Sequence, residues 1–225
     1  MPSSTSLSLQ ALLRSAAGRA GFGHDRGTIS GLTPAGRALY AALRAHQAGD
    51  RLIVLVVPTD ADADETAADT RFFLAALEGL DDRAAAAAVL PLPSHEVDPY
   101  RGLSPHLHVA SARARVLASI ASGDVRVVVA SAPALLPRLV PPRRLASAVL
   151  ALRLGAEVDP QLLGEHLLES GFSREDPADE HGEFALRGGI LDIFPAGATN
   201  PARLEFIFLV LDQAKGCFQE SDLIQ

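Results

Sequence analysis

Two glycines and the residues that follow them have the spacing of a phosphate-binding loop. Gly31 and Gly36 are placed as in GxxxxGK[ST], where lysine reaches the β- and γ-phosphates and a Ser or Thr hydroxyl holds magnesium. Here those two positions are Arg37 and Ala38. Alanine offers no oxygen to a metal, and Pro34 removes one backbone N–H that would cradle phosphate. The segment therefore predicts a degenerate nucleotide loop without hydrolytic activity.

The remaining residues with catalytic or metal-binding chemistry do not form recognisable sites. His106 and His108 are the only closely spaced histidines, and no Cys, Asp or Glu lies beside them to complete a metal site. Residues 94–96 read Ser-His-Glu, but a catalytic triad is defined by spatial geometry and not by adjacency. The acidic residues 60–65 lack the glycine and distal glutamate of a calcium loop. We expect no metal, no cofactor and no catalytic residue.

Composition and charge exclude several classes of protein. The chain has 225 residues, 48% of them hydrophobic, which is enough for one large domain or two small ones. The net charge of −7 argues against a dedicated nucleic-acid surface, whose affinity rests on neutralising phosphates. A single cysteine, Cys217, excludes an internal disulfide. Neither a signal peptide nor a long apolar run is present, and we expect a cytoplasmic protein.

Strand and helix patterns alternate through the first two thirds of the chain. The apolar runs at residues 51–57 and 124–130 are typical of strands in a parallel sheet covered on both faces. A short strand is expected at residues 87–91, although the alanines before it favour helix. Helices are predicted at residues 7–20, 34–47, 62–80 and 109–122. This order predicts an α/β domain.

A different pattern begins after an apolar segment, residues 145–154, that we interpret as a strand. Asp159 and Pro160 are typical of a helix start, here a helix over residues 161–170. Residues 182–195, GEFALRGGILDIFP, predict a β-hairpin, because both glycines of the Gly-Gly turn tolerate positive φ. A third run at residues 203–208 completes a small antiparallel meander. Its period of two places Leu204, Phe206 and Phe208 on one face and Arg203, Glu205 and Ile207 on the other.

Two motifs carry a resemblance to a known family. They are LPSHEVDPY, followed by SPH, within residues 92–106, and GEFALRGGILDIFP followed by PARLEF. Together they resemble the N-terminal module of the bacterial transcription-repair coupling factors (Mfd), and less closely the excision-repair protein UvrB. The resemblance covers roughly residues 25–206. It implies a degenerate P-loop-type parallel sheet domain followed by a smaller α+β domain that docks onto UvrA and performs no chemistry itself.

The domain boundaries follow from these patterns and the resemblance. We expect an N-terminal helix and extension at residues 1–24, the α/β domain at 25–143, the UvrA-interacting α+β domain at 144–208, and an atypical tail at 209–225. The only lysine, the only cysteine and three of the six glutamines fall within the last 19 residues. The composition of these last residues differs from that of the rest of the chain, which indicates that homology to the family ends near residue 206. A broken reading frame is one hypothesis for it.

The resemblance also implies which residues contact a partner. Arg174, Arg187, Arg203 and Glu205 match positions that contribute to the UvrA-binding face in this family. Arginine suits such a face because its planar fork pairs bidentately with carboxylate. UvrB-like sequences have a further arginine where this chain has Ala185, so one contact is expected to be missing. The alternative is a solvated sheet face with one cross-strand Arg–Glu pair, which contributes roughly 0.2–1 kcal/mol.

The sequence thus predicts a non-catalytic UvrA-recruiting module. The motor motifs of a coupling factor do not occur in this chain, so RNA polymerase and DNA would be engaged only through domains absent here. One alternative is a P-loop nucleotide-binding protein. The other is a UvrB-like damaged-DNA binder, although two tyrosines and no tryptophan leave little for a base-stacking platform.

Overall fold

The fold is taken from a computed structural model of the chain. It describes residues 9–19, 27–95, 97, 105–139, 141, 143–145, 150, 152–195, 198 and 200–215. Half of the predicted strand at 145–154, much of the motif at 92–106, and the tail from residue 216 onward lie outside the described residues. The described residues of that predicted strand are not in a strand, and residue 145 belongs to a short helical turn instead. The chain divides into two compact units, residues 1–94 with 123–138 and residues 95–122 with 139–225. In the described helices, none combines the length and the apolar character that a membrane span requires.

The first unit contains a three-stranded parallel sheet in the order β1-β3-β2. The strands are β1 (Ile53–Val57), β2 (Val89–Leu92) and β3 (Val127–Ser131). All five residues of the central β3 are buried, as predicted. The prediction is wrong for β1, where Val54 and Val56 are 51% and 52% exposed. The alternating exposure of β1 shows that only one face of this strand is covered by the described residues.

The described residues of the first unit form four α-helices: α1 (Leu9–Arg19), α2 (Pro34–Ala48), α3 (Asp60–Glu78) and α4 (Asp82–Ala88). Helix α3 starts with a capping box, in which Thr59 accepts the Asp62 N–H and Asp62 accepts the Thr59 N–H. The alanine-rich residues form α4, and β2 starts only where the β-branched Val89 follows. The helices and the sheet share one apolar core, which includes Leu43, Leu74, Leu77, Val127 and Val129.

An ion-pair network ties α3 to the start of β3. The Arg126 guanidinium donates to both carboxylate oxygens of Glu78, at 2.6 and 2.9 Å, and to the Ala45 carbonyl at 3.0 Å. His46 Nδ1 lies 2.9 Å from the same carboxylate. The hydrogen bond from Arg126 holds the pKa of Glu78 below its usual range, against the opposing effect of burial.

We expect Glu78→Gln to lower the free energy of unfolding by about 1.5 kcal/mol, because it removes the charge from a partly buried hydrogen-bonded pair. Since the folded-state pKa is depressed, this stabilisation is present above the unfolded value of about 4.3 and is lost as pH falls through the folded pKa. Denaturant titrations at pH 7 and pH 3 measure both effects. Glu65→Gln, an exposed substitution on the same helix, is the matched control and should change nothing. A pH-independent difference between wild type and Glu78→Gln would contradict the assignment.

Helix α5 (Leu107–Ser122) is grouped with the second unit. The sequence interpretation places this helix within the first domain, because it connects β2 to β3. The start of α5 lies close to the second unit's meander, since a Cβ added at Gly182 would lie 3.7 Å from the Leu107 side chain.

The second unit is built on a five-stranded sheet in the order β4-β5-β6-β7-β8. Its strands are β4 (Ser173–Arg174), β5 (Glu183–Arg187), β6 (Ile190–Ile193), β7 (Ala202–Ile207) and β8 (Val210–Lys215). Strand β4 is parallel to β5, and the other pairs are antiparallel. Helix α6 (Pro160–Glu169) is capped by Asp159, whose carboxylate accepts the Gln161 N–H, as predicted. Leu163 and Leu167 of α6 share a core with the sheet.

The Gly-Gly turn joins β5 and β6 as a two-residue hairpin, with Arg187 opposite Ile190. Gly188 has φ +59, as the first central residue of a type II′ turn requires. Gly189 is constrained differently. A Cβ on Gly189 would lie 2.7 Å from the Phe206 carbonyl oxygen, and the Phe206 N–H donates to the Gly189 carbonyl at 2.7 Å. This glycine therefore permits the close approach of β7.

Strand β7 alternates as predicted up to Ile207, but the prediction for Phe208 is wrong. Phe208 does not continue the inward face; it is 96% exposed and begins a two-residue turn. Phe208 and Leu209 have φ +49 and +66, and the chain then reverses into β8, a strand that the sequence did not predict. The two positive φ values explain the difference, because a primed turn ends the strand one residue before Phe208.

Candidate partner-binding site

The outward face of the five-stranded sheet carries most of the sequence-predicted site residues. On β5 to β7, alternate side chains such as Phe184, Leu191 and Leu204 enter the core. The side chains between them point to the opposite face. We use the name arginine face for the charged members of that face: Arg187, Asp192, Arg203 and Glu205. The strand register brings Asp192 directly opposite Arg203, and Ile190 opposite Glu205.

Asp192 is the centre of the arginine face, and the sequence reasoning did not identify it. Arg203 Nε donates to Asp192 Oδ1 at 2.6 Å, and Arg203 Nη2 donates to Oδ2 at 2.8 Å. Arg187 Nη2 lies 3.5 Å from the same Oδ2. The hydrogen bonds from Arg203 hold the pKa of Asp192 below its usual range, although burial opposes them, and the charge of Arg187 acts in the same direction. The β6–β7 register was the signal that could have revealed this pair.

The two arginines remain accessible while they are paired. Their side chains are 56% exposed for Arg187 and 51% for Arg203, whereas Asp192 is 17% exposed. Arg187 also contacts the exposed Asp176 at 2.9 Å. The pKa of Arg203 is raised by its hydrogen bond to Asp192, and the charge of Glu205 adds to this. The bidentate cross-strand pair on this face thus joins Arg203 to Asp192.

Arg174 lies on β4, at the edge of the same sheet. Its Nη2 donates to the Leu186 carbonyl at 3.0 Å, which fixes the side chain across β5. Ala185 lies opposite Asp192 and is 3% exposed. At this position a longer side chain would have to share the space around the Asp192 carboxylate.

Apolar side chains continue the same surface beyond the charged residues. Ile190 and Ile207 are 39% and 53% exposed on the outward side of β6 and β7. Phe208, at the turn that follows, adds a nearly fully exposed ring. The outward face therefore combines paired arginines with an adjoining apolar patch.

The segment with phosphate-loop spacing is an ordinary helix start in the structure. Residues 27–30 are not in a strand, and Gly31 has φ +79. Thr33 caps α2, since its hydroxyl oxygen accepts the Gly36 N–H at 3.1 Å, and Pro34 occupies the first turn. The Gly36 N–H is therefore already used within the chain, and the described residues of this segment do not form a loop that cradles phosphate.

Ser94, which precedes a histidine in the sequence, is engaged elsewhere. Its backbone N–H donates to Asp60 at 2.9 Å, and its hydroxyl donates to the same carboxylate. His106 Nδ1 accepts the His108 N–H at 3.3 Å, at the start of α5. Ser94 is thus tied to the first residue of α3, whereas the His106 contact lies within its own turn.

Comparison with known proteins adds to this geometry. Residues 150–216 match the UvrB interaction domain family. This match extends past residue 206, where we expected the resemblance to end, and it includes β8.

Proteins much longer than this chain also match it. The chain is 33% identical over 195 residues to the transcription-repair-coupling factor of Mycobacterium bovis, covering 84% of this chain and 14% of that protein. It is 31% identical over 141 residues to the Bacillus subtilis protein of the same name, covering 60% of this chain and 11% of that protein. The Escherichia coli protein is 32% identical over 118 residues, 52% of this chain and 10% of its own length. The chain thus spans less than a sixth of the length of each of these relatives. It is a homologue of part of the bacterial transcription-repair-coupling factors and carries a UvrB interaction domain.

Proposed function

We propose that this chain is a non-catalytic module that recruits UvrA to a transcription-repair coupling factor in nucleotide excision repair. The UvrB interaction domain match supports a role in protein recognition. The arginine face supports the location, because it lies within the matched residues. Arg174, Arg187, Arg203 and Glu205 are the contacts that we propose.

The observation that carries this proposal is the pair of exposed arginines held on one sheet. Arginine is enriched at binding hot spots, and apolar side chains beside it exclude water from its hydrogen bonds. Arg187 has both features, because it lies directly opposite the exposed Ile190, and Arg203 shares the Asp192 carboxylate with Arg187.

Other activities of a coupling factor are assigned to parts of a longer protein. The relatives are several times longer than this chain. We infer that contacts with RNA polymerase and ATP-dependent movement on DNA belong to regions outside the matched N-terminal segment. The chain would then act as a fragment or as one module of such a protein.

A binding measurement tests the proposal directly. Purified UvrA is titrated against the immobilised wild-type chain and the Arg187→Glu, Arg203→Glu double variant. We expect the affinity for UvrA to fall at least tenfold. Reversing the charge of both residues removes the guanidinium N–H donors and places negative charge opposite the partner's carboxylates.

The control keeps the change in net charge identical. Arg37→Glu, Arg51→Glu reverses two exposed arginines of the first unit. It should bind UvrA like wild type. Equal affinity of wild type and the Arg187→Glu, Arg203→Glu variant would contradict the assignment of the arginine face.

A further inference from the structure

We propose that Asp192 is a positioning residue for partner binding, whose carboxylate holds the guanidinium groups of Arg187 and Arg203 side by side on the arginine face. The inference rests on the proposed function, and it adds a residue that the resemblance did not supply. Asp192 itself is too enclosed to serve as a main contact, with 17% of its side chain exposed.

The geometry sets one carboxylate between two cations from neighbouring strands. Arg203 pairs with both oxygens of Asp192, and Arg187 approaches the Oδ2 atom from β5. Arg187 comes from the strand on one side of β6 and Arg203 from the strand on the other. A single carboxylate on the middle strand therefore contacts both arginines: it is hydrogen-bonded to Arg203 and within ion-pair distance of Arg187, whose nearer contact is Asp176 at 2.9 Å.

The pairing leaves donors available for a second carboxylate. A guanidinium group has five N–H donors, and the bidentate contact uses two of those on Arg203. The half-exposed side chain can therefore bind a partner carboxylate without releasing Asp192. A partner with acidic side chains fits this arrangement, with each carboxylate meeting a guanidinium that is already ordered.

Asp192 has two opposing effects on binding. Its negative charge lowers the net positive charge of the arginine face by one unit, which slows association with an acidic partner. It also restricts two long side chains before the partner arrives, which lowers the entropy lost on binding. If positioning is its role, loss of the carboxylate accelerates dissociation more than it accelerates association.

The experiment measures association and dissociation of UvrA with the full chain by biolayer interferometry. For Asp192→Asn we expect dissociation at least fivefold faster, and association equal to or up to about twofold faster at low salt. Arg203→Lys, which keeps Asp192 and the positive charge but not the bidentate pair, should show faster dissociation as well. In the Arg203→Lys background, adding Asp192→Asn should have less than half of its effect in the wild type. Asp212→Asn, an exposed substitution on β8, is the matched control.

A second readout does not depend on UvrA. The Arg203 Nε–H resonance of the isolated chain should exchange slowly with water in wild type and rapidly in Asp192→Asn, while the backbone spectrum stays folded. Failure of wild type to bind UvrA overturns the proposed function, and the exchange measurement then still tests positioning. Three results would each overturn the inference. The first is an Asp192→Asn variant that dissociates at the wild-type rate, and the second is an effect of Asp192→Asn on dissociation that is as large in the Arg203→Lys background as in the wild type. The third is equal Nε–H exchange of Arg203 in the wild type and in Asp192→Asn.

Discussion

Replacing Gly189 by alanine is expected to lower the free energy of unfolding of the second unit by about 3 kcal/mol. The added Cβ would lie 2.7 Å from the Phe206 carbonyl oxygen, closer than real side chains approach backbone. Neither backbone can retreat easily, because the Phe206 N–H donates to the Gly189 carbonyl and Leu191 pairs with Leu204 beside it. Chemical denaturation followed by far-ultraviolet circular dichroism measures the loss.

The neighbouring glycine provides the control for this substitution. Gly188 has a positive φ, but a Cβ added there would have no heavy atom within 4 Å, so Gly188→Asn should cost only the strain of the backbone conformation, about 1–2 kcal/mol. Comparing the two variants separates the destabilisation caused by the close approach of β7 at Gly189 from that caused by the positive φ at Gly188. Unfolding of Gly189→Ala at the wild-type denaturant concentration would show that β7 can move away without cost.

The double substitution Phe208→Asn, Leu209→Gly is expected to raise the free energy of unfolding by about 2 kcal/mol. Both residues occupy the left-handed region, with φ +49 and +66, where bulky side chains are strained. Asn-Gly is the pair that a primed two-residue turn prefers. The substitution also removes a phenylalanine ring that is 96% exposed, so the protein should remain monomeric to higher concentration.

Phe208→Ala distinguishes relief of backbone strain from loss of the exposed ring. It removes the ring but retains a side chain at positive φ, so its free energy of unfolding should stay within about 0.5 kcal/mol of wild type. If Phe208→Ala stabilises the protein as much as the Asn-Gly pair does, the strain at this turn is not the cause. Equilibrium denaturation of the three proteins in one buffer makes the comparison.

Local signals in the sequence were sufficient for many elements. Asp159 marks a helix start because its side-chain oxygen accepts the backbone N–H two residues later, and the structure confirms this prediction. The Gly188-Gly189 turn and the alternation of residues 203–207 are equally local, and they predicted the meander correctly. These features depend on near neighbours in the chain, which a sequence displays directly.

The failures concern relations between distant residues. The edge position of β1 follows from β3 inserting between β1 and β2, and no residue of β1 encodes that order. Phe208 has the apolar character of a core residue, and only the turn that leads into β8 places it in solvent. Asp192 was missed because its importance depends on the register between β6 and β7. Arg187, Arg203 and Glu205 were proposed from a family resemblance, while the contacts of the two arginines with Asp192 required the structure.

The two margins of the five-stranded sheet determine how another protein can engage it. At one margin β4 is only two residues long, and at the other the chain at 155–158 bonds to β8, with Gly155 N–H donating to the Leu211 carbonyl. Among the described residues, little backbone at these two points is thus open for an incoming strand to extend the sheet, a common but sequence-tolerant route of association. A partner that docks on this sheet must contact side chains instead. Single substitutions on its surface can therefore abolish binding while the fold is retained.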